Sequence, residues 1–255
     1  MPEVVTYLLL AGSAFLAGAI NSVAGGGTLL TFPTLLGTGI ADTVANATST
    51  LALFPGSFAG SWAYRRELRS VRKFVLRMLP VSVVGGLIGS LLLVWFPSAF
   101  KVIVPWLILT AAVLFLIQPT LNRYVRMHQG EHGKVSTSVT VGVMAFQFLV
   151  AVYGGYFGAG IGILMLTALS FMHVGDIHHM NAVKTFLAAM INFVSVIVFI
   201  VDDLIRWDYA AVMCVSAIVG GYLGAHFGRK LPAVYIRWTV IVIGFGLAAY
   251  YFAKQ

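Results

Sequence analysis

Hydrophobic residues run along this chain in long blocks separated by short polar clusters. Six blocks, about 43–64, 74–96, 100–118, 177–201, 207–228 and 234–252, each hold the roughly 20 residues that a helix needs to cross a hydrocarbon layer. Two others, 4–38 and 135–172, are too long for one crossing. Glycine interrupts both, at Gly25-Gly26-Gly27 and at Gly154-Gly155-Tyr156-Phe157-Gly158-Ala159-Gly160-Ile161-Gly162. Each of the two is therefore expected to form a broken helical hairpin.

Composition removes the soluble alternatives. Of 255 residues, 60% are hydrophobic and 9% charged, and the mean hydropathy is +0.95, whereas soluble domains carry about 25% charge. No polar segment is long enough for a separate domain, so residues 1–255 are expected to form a single transmembrane domain. Met1-Pro2-Glu3 lacks a basic signal region and the first apolar block outruns a signal peptide, so it is expected to be retained structure. Cys214 lies among apolar residues, where a packing role is expected and no disulfide framework exists.

The net charge of +8 does not call for a nucleic-acid partner, because its residues cluster between the apolar blocks. Arg65, Arg66, Arg69, Arg72, Lys73 and Arg77 form one loop cluster, Arg123, Arg126 and Lys134 a second, and Arg229, Lys230 and Arg237 a third. Positive loops face the cytoplasm. The segment bearing Asp202, Asp203, Arg206 and Asp208, and the one around Pro97 and Lys101, then fall on the opposite side with both termini.

An internal repeat supports this layout. Ala45-Asn46-Ala47-Thr48-Ser49-Thr50 is matched by Met180-Asn181-Ala182-Val183-Lys184-Thr185, and Gly85-Gly86-Leu87-Ile88-Gly89 by Gly220-Gly221-Tyr222-Leu223-Gly224. The spacing from Asn46 to Gly85 is 39 residues, and so is that from Asn181 to Gly220. The fold class expected is an all-α polytopic membrane protein of two repeats, about 1–120 and 135–255, each a glycine-broken hairpin plus three transmembrane helices. Because a hairpin returns to its starting side and three crossings do not, the second repeat is inverted. Such architectures bind substrate where broken helices meet.

Candidate chemistry concentrates at the glycine breaks. In Asn21-Ser22-Val23-Ala24-Gly25-Gly26-Gly27-Thr28 the chain leaves helical geometry, and lipid offers its backbone no hydrogen bonds, so it is expected to line a cavity. A helix restarting at Thr28 would direct N–H groups and a positive dipole end into that cavity, which suits an anion. The second hairpin supplies a counterpart near Gly160 to Gly162. The plainer alternative is close helix packing at small residues.

Asn181, Lys184 and Asn192 share one helical face, as do Asn46, Ser49 and Ser57 in the first half. Lys184 is the one basic residue in the middle of a predicted span, roughly 12 Å along the helix from Asp176. With no carboxylate expected at that depth, a bound anion is its natural countercharge; the alternative is snorkelling to the surface. Asn46 and Asn181 could bind substrate or bridge helices. Asp42 and Asp176 read as helix N-caps.

His173, His178 and His179 lack carboxylate or thiolate company, so no metal is expected; His128 and His132 read as bystanders, and His226, beside Arg229, as packing or a gating group. No nucleotide loop or catalytic set is recognisable, so neither an enzyme nor a cofactor is expected. The expected partners are a small anionic substrate and the lipid bilayer, with homo-oligomerisation left open. A passive anion channel is the alternative; a membrane-embedded enzyme or assembly factor would need a constellation not found.

Asn21-Ser22-Val23-Ala24-Gly25-Gly26-Gly27, with Phe32-Pro33 following, resembles the first signature of the sulfite exporter TauE/SafE family, also called the toluene-sulfonate uptake permeases. Gly155-Tyr156-Phe157-Gly158-Ala159-Gly160-Ile161-Gly162, followed by Asn181-Ala182-Val183-Lys184-Thr185, is similar to the second, and the resemblance covers essentially the whole chain. It implies a bacterial or archaeal plasma-membrane permease for sulfite, sulfoacetate or other organosulfonates, working by secondary transport. Motif and cavity argument coincide at Ser22, Thr28, Asn181 and Lys184. The full candidate substrate site comprises Asn21, Ser22, Gly25, Gly26, Gly27, Thr28, Asn46, Ser49, Gly158, Gly160, Gly162, Asn181, Lys184 and Asn192.

Overall fold

The apolar blocks fold into helices throughout the computed structural model, which describes residues 3–23, 26–127, 137–172, 174–175, 177–227 and 233–254. The helices are α1 (Glu3–Val23), α2 (Thr28–Leu36), α3 (Asp42–Ala63), α4 (Arg65–Ser70), α5 (Arg72–Trp95), α6 (Pro97–Met127), α7 (Thr137–Tyr156), α8 (Ile161–Ser170), α9 (Ile177–Val201), α10 (Trp207–Phe227) and α11 (Ala233–Lys254). Among the described residues there is no strand. Among the described residues, five helical stretches are long and apolar enough to cross a membrane: Glu3–Asn21, Arg72–Trp95, Pro97–Leu121, Thr137–Tyr156 and His178–Val201. Helix α3 has 22 residues but is too polar to qualify, because Asn46, Thr48 and Ser49 are buried inside the bundle instead of facing lipid. Large exposed apolar side chains such as Leu8, Leu16, Trp106, Leu149 and Val215 cover the outside, as lipid contact requires.

Both hairpins form, with unequal arms. Helices α1 and α7 have 21 and 20 residues, whereas the returning arms α2 and α8 have 9 and 10, lengths of only about 14–15 Å at 1.5 Å per residue. Each return therefore covers about half of a 30 Å hydrocarbon core. The cluster expected as a basic loop is instead largely helical. Arg65, Arg66 and Arg69 lie on α4, and Arg72, Lys73 and Arg77 on the first turns of α5, since Arg, Glu and Leu are good helix formers. Asp42 is not an N-cap: that position is Ala41, without a side-chain bond, and Asp42 is the first helical residue. There its charge still favours the positive helix end. Asp176 lies outside the described residues.

Packing follows a paired pattern. Helix α1 lies along α10 and α5 along α7; α3 packs on α10 and α5 on α9; α3 meets α9, and α6 meets α11. The short arm α2 touches α1, α3 and α11, while α8 touches α7, α9 and α6. Helix starts in the two halves correspond as well: Asp42 and Ile177 are 135 residues apart, and so are Arg72 and Trp207.

The GGxxG elements explain the closest seams. On α5, a Cβ at Gly85 would meet Ala151 and Phe148 O, and one at Gly89 would meet Val152 O and Tyr156 N. On α10, a Cβ at Gly220 would strike Phe15 O, while one at Gly18 of α1 would strike Ala217 O. Glycine thus brings backbones together, as small residues do between helices in lipid. These seams join helices from opposite sequence halves. One large apolar cluster, including Leu10, Leu29, Phe32, Phe100, Phe115 and Met213, gathers around the first hairpin, and a second, including Met78, Val150, Met165, Val183 and Ile191, around the other.

Candidate functional site

The hairpin breaks have local causes. Gly26, Gly158 and Gly160 have φ of 100°, 84° and 80°, a region that side chains with a Cβ rarely occupy. A Cβ at Gly26 would also collide with the Phe115 ring, and one at Gly160 would sit 3.3 Å from Leu114. Both breaks therefore abut the same stretch of α6. Phe32, Phe100 and Phe157 pack between the hairpins, the rings of Phe32 and Phe157 lying edge to face at 5.4 Å.

At the first break, Asn21 Oδ1 accepts the Gly27 N–H at 2.7 Å. The N–H groups of Leu29, Leu30 and Thr31 bond the carbonyls of Gly26 and Gly27. Asn21 thus braces the turn with its carbonyl, and these amides are occupied within the turn. Thr28 begins α2 as expected and is half-buried, and Gly27 is packed against Ala17. Gly25 and the Ser22 side chain lie outside the described residues.

Beside this break lies a buried polar cluster. Asn46 Nδ2 donates to Tyr156 O at 3.1 Å, linking α3 to the end of α7. Thr31 Oγ1 and Ser49 Oγ are 2.6 Å apart, and Thr31 Oγ1 also donates to Gly27 O at 3.3 Å. Asn46, Thr31 and Ser49 are each at most 1% exposed.

A second cluster lies by α8. Lys184 Nζ donates to Asn181 Oδ1 at 3.1 Å, and the lysine stem runs against Gly162, with Cδ 3.3 Å from where a Cβ would stand. Lys184 forms no ion pair among the described residues. Helix α8 begins at Ile161 behind Gly160, without a side-chain cap, so its positive end lies next to the ammonium group. An anion there would meet both. Lys184 is half-buried, and Asn192 is half-buried midway along α9.

The two clusters do not form one pocket. Phe54 meets Phe193, and Gly60 faces Thr185, so α3 and α9 run antiparallel. Asn46 lies 14 residues before Gly60, while Lys184 is adjacent to Thr185, which separates Asn46 from Lys184 by about 20 Å along the bundle. Gly26, Gly27, Thr28, Asn46 and Ser49 thus belong to one region, Gly162, Asn181 and Lys184 to the other, with Gly158 and Gly160 in the turn between α7 and α8.

Sequence reasoning missed Thr31, which lies one turn beyond Gly27 in the motif already singled out. It also missed Gln147, whose Nε2 donates to Ser82 Oγ at 2.9 Å inside the bundle; a polar residue in the apolar run 143–152 was the available signal. Of the histidines, His178 is exposed and His179 half-buried; His128, His132 and His173 are outside the described residues, as is the His226 side chain. Among the described residues no group of three metal-ligating side chains occurs.

At one end of the bundle, Glu3, Thr6, Tyr7, Thr38, Arg206 and Asp208 border a crevice of about 320 Å³. Arg206 pairs with Asp208 through two bonds of 3.1 and 2.9 Å, and its backbone N–H reaches Thr48 Oγ1 at 3.1 Å. The start of α1, the end of α2 and the start of α10 therefore share this end.

Known proteins resemble the chain across nearly its full length. A probable membrane transporter protein of Haemophilus influenzae is 28% identical over 236 residues, covering 92% of this chain and 90% of its own. The probable membrane transporter protein YfcA of Escherichia coli K12 is 29% identical over 220 residues, 86% of this chain and 77% of its own. One from Sinorhizobium sp, ORF9, is 26% identical over 237 residues, with 92% and 88% covered. No solved structure matches the chain. The family profile described as sulfite exporter TauE/SafE matches residues 10–251, so this multi-pass membrane protein belongs to the sulfite exporter TauE/SafE family of transporters.

Proposed function

We propose that the protein is a secondary transporter of small sulfur-containing anions, sulfite or organosulfonates, and that Lys184 binds the anionic group. The observation carrying this reading is an ammonium group within a membrane-spanning helix whose one polar partner among the described residues is the neutral amide of Asn181. A charge at that depth is costly unless a partner or cavity offsets it. An anion lodged between Lys184 and the positive end of α8 would offset it, with Gly162 giving the close approach. The sulfur class comes from the family's description.

Transport then proceeds by alternating access between two inverted repeats, about 1–120 and 135–255, with both termini outside. The 135-residue correspondence of helix starts and the paired packing support the repeats. Because the glycine seams join α1 to α10 and α5 to α7, the rocking units are these exchanged bundles and not the sequence halves.

Purified protein in liposomes, screened with sulfite, thiosulfate, sulfoacetate, taurine and unrelated carboxylates, tests the proposal. Unlabelled sulfur oxyanion or sulfonate on the far side should accelerate labelled uptake. Flux without such counter-flow stimulation favours a channel, and transport of carboxylates alone refutes the sulfur class.

A further inference from the structure

The two polar clusters occupy corresponding positions of the repeat, and they differ in one charge. Asn46 corresponds to Asn181 and Ser49 to Lys184, each pair 135 residues apart. In the second half Asn181 Oδ1 accepts the Lys184 ammonium at 3.1 Å. In the first half Asn46 Oδ1 is buried with no hydrogen-bond partner among the described residues, an arrangement that is costly when nothing compensates it. The amide orientation is fixed, because turning it over would set Oδ1 against the Tyr156 carbonyl that Nδ2 now bonds.

Thr31 Oγ1 and Ser49 Oγ are 2.6 Å apart and either can donate; where Thr31 Oγ1 gives its proton to Gly27 O at 3.3 Å, Ser49 Oγ donates to Thr31. Ser49 Oγ is left with lone pairs, one helical turn from Asn46 Oδ1, where residues three apart are neighbours. Asn46 Oδ1 thus presents acceptor lone pairs and no proton, and Ser49 Oγ does so in the arrangement where it donates to Thr31. The carbonyl of Tyr156, at the negative C-terminal end of α7, adds to the negative potential. Oxygens with free lone pairs suit a cation, although the positive ends of α2 and α3 lie within about a turn of Thr31 and Asn46 and oppose it. A divalent ion would call for carboxylate ligands; the nearest acidic group on this face of α3, Asp42, is a turn nearer the helix start and lies within electrostatic reach of Lys101.

We propose that a monovalent metal cation, sodium being the probe, binds between Asn46 Oδ1 and Ser49 Oγ, with Thr31 Oγ1 alongside, and takes the place in the first half that the Lys184 ammonium holds in the second. The site is separate from the proposed anion contact, about 20 Å away along the bundle, so it goes beyond the transport reading and does not depend on it. Its consequence is ion coupling: the cation supplies a charge that can leave, where Lys184 supplies one that cannot.

The test uses the full-length protein in detergent without any candidate anion. Melting temperature is followed against sodium chloride, with N-methyl-D-glucamine chloride holding ionic strength constant, and retention of radioactive sodium is measured in parallel. The expected result is a saturable rise in melting temperature and saturable sodium retention, both lost in Asn46→Leu and weakened in Ser49→Ala. Lys184→Ala should keep both, even where it abolishes anion flux. If Asn46→Leu does not fold, Ser49→Ala and Thr31→Val carry the comparison. Equal melting in the two salts with no retained sodium overturns the proposal, as does sodium binding that Asn46→Leu and Ser49→Ala leave unchanged.

Discussion

Replacing Gly89 by alanine would place a methyl group 2.8 Å from Tyr156 N and closer still to Val152 O, where ordinary contacts begin at 3.4 Å. Both obstacles are backbone, so no side chain can swing aside, and Val152 O, the nearer, forces α7 to retreat from α5 by more than about 1 Å. Overpacking of this kind costs about 1–3 kcal/mol, against a gain of about 0.5–1 kcal/mol from replacing a helical glycine. The net loss is up to about 2.5 kcal/mol, toward that upper end because both obstacles are backbone, and should lower the melting temperature by up to about 10 °C at 2–4 °C per kcal/mol. Thermal unfolding in detergent measures it. Gly12→Ala and Gly246→Ala are the controls, because nothing lies within 4 Å of either Cβ, and they should be neutral or slightly stabilising. Gly220→Ala, pressed against Phe15 O in the other seam, should behave like Gly89→Ala. If Gly89→Ala melts with the controls, the close seam between α5 and α7 is wrong.

Other expectations concern the hairpins and the layout. Ser49→Ala removes the Thr31 partner from a site with no exposure, and should cost about 1–3 kcal/mol in thermal unfolding. Gly26→Ala combines a φ of 100° with a collision at Phe115; it should reduce both melting temperature and counter-flow uptake, and an unaffected protein would show that the first break is conformationally free. Cysteines placed next to Glu3 and next to Lys254 should both react with an impermeant thiol reagent from outside, on a Cys214→Ser background; labelling from the cytoplasm would overturn the proposed orientation.

Periodicity and glycine placement made much of this fold legible. Five apolar blocks match α3, α5, α9, α10 and α11 to within two residues, while 100–118 lies inside the longer α6. Of the interruptions at Gly25–Gly27 and Gly154–Gly162, the second breaks only after Tyr156, Gly154 and Gly155 remaining on α7, and α2 and α8 begin at Thr28 and Ile161. These features are local, because a run of glycines weakens a helix whatever surrounds it. Partner choice is not local. The repeated GGxxG elements were visible as a repeat, yet that they fasten α5 to α7 and α10 to α1 depends on which distant backbone arrives. The same limit applies at the candidate site. One helical face for Asn46 and Ser49, and one for Asn181 and Lys184, followed from spacing, whereas the roughly 20 Å between the two groups follows from the antiparallel packing of α3 on α9. Thr31 was hidden because a threonine in an apolar run announces no partner until Ser49 stands opposite it. Asp42 misled for a small reason: capping depends on a shift of one residue, and Ala41 holds the cap position.

The most direct test of the central claim is counter-flow uptake of the best anion from the screen by liposomes containing wild-type protein, Lys184→Ala or Lys184→Arg. Losing a hydrogen bond to a charged group costs about 1.5–3 kcal/mol, which is about 10–100-fold in affinity at 1.4 kcal/mol per tenfold. Lys184→Ala should therefore raise the half-saturating anion concentration by about that factor or abolish uptake, and Lys184→Arg should retain part of it. Uptake by Lys184→Ala with wild-type affinity and rate would contradict the account.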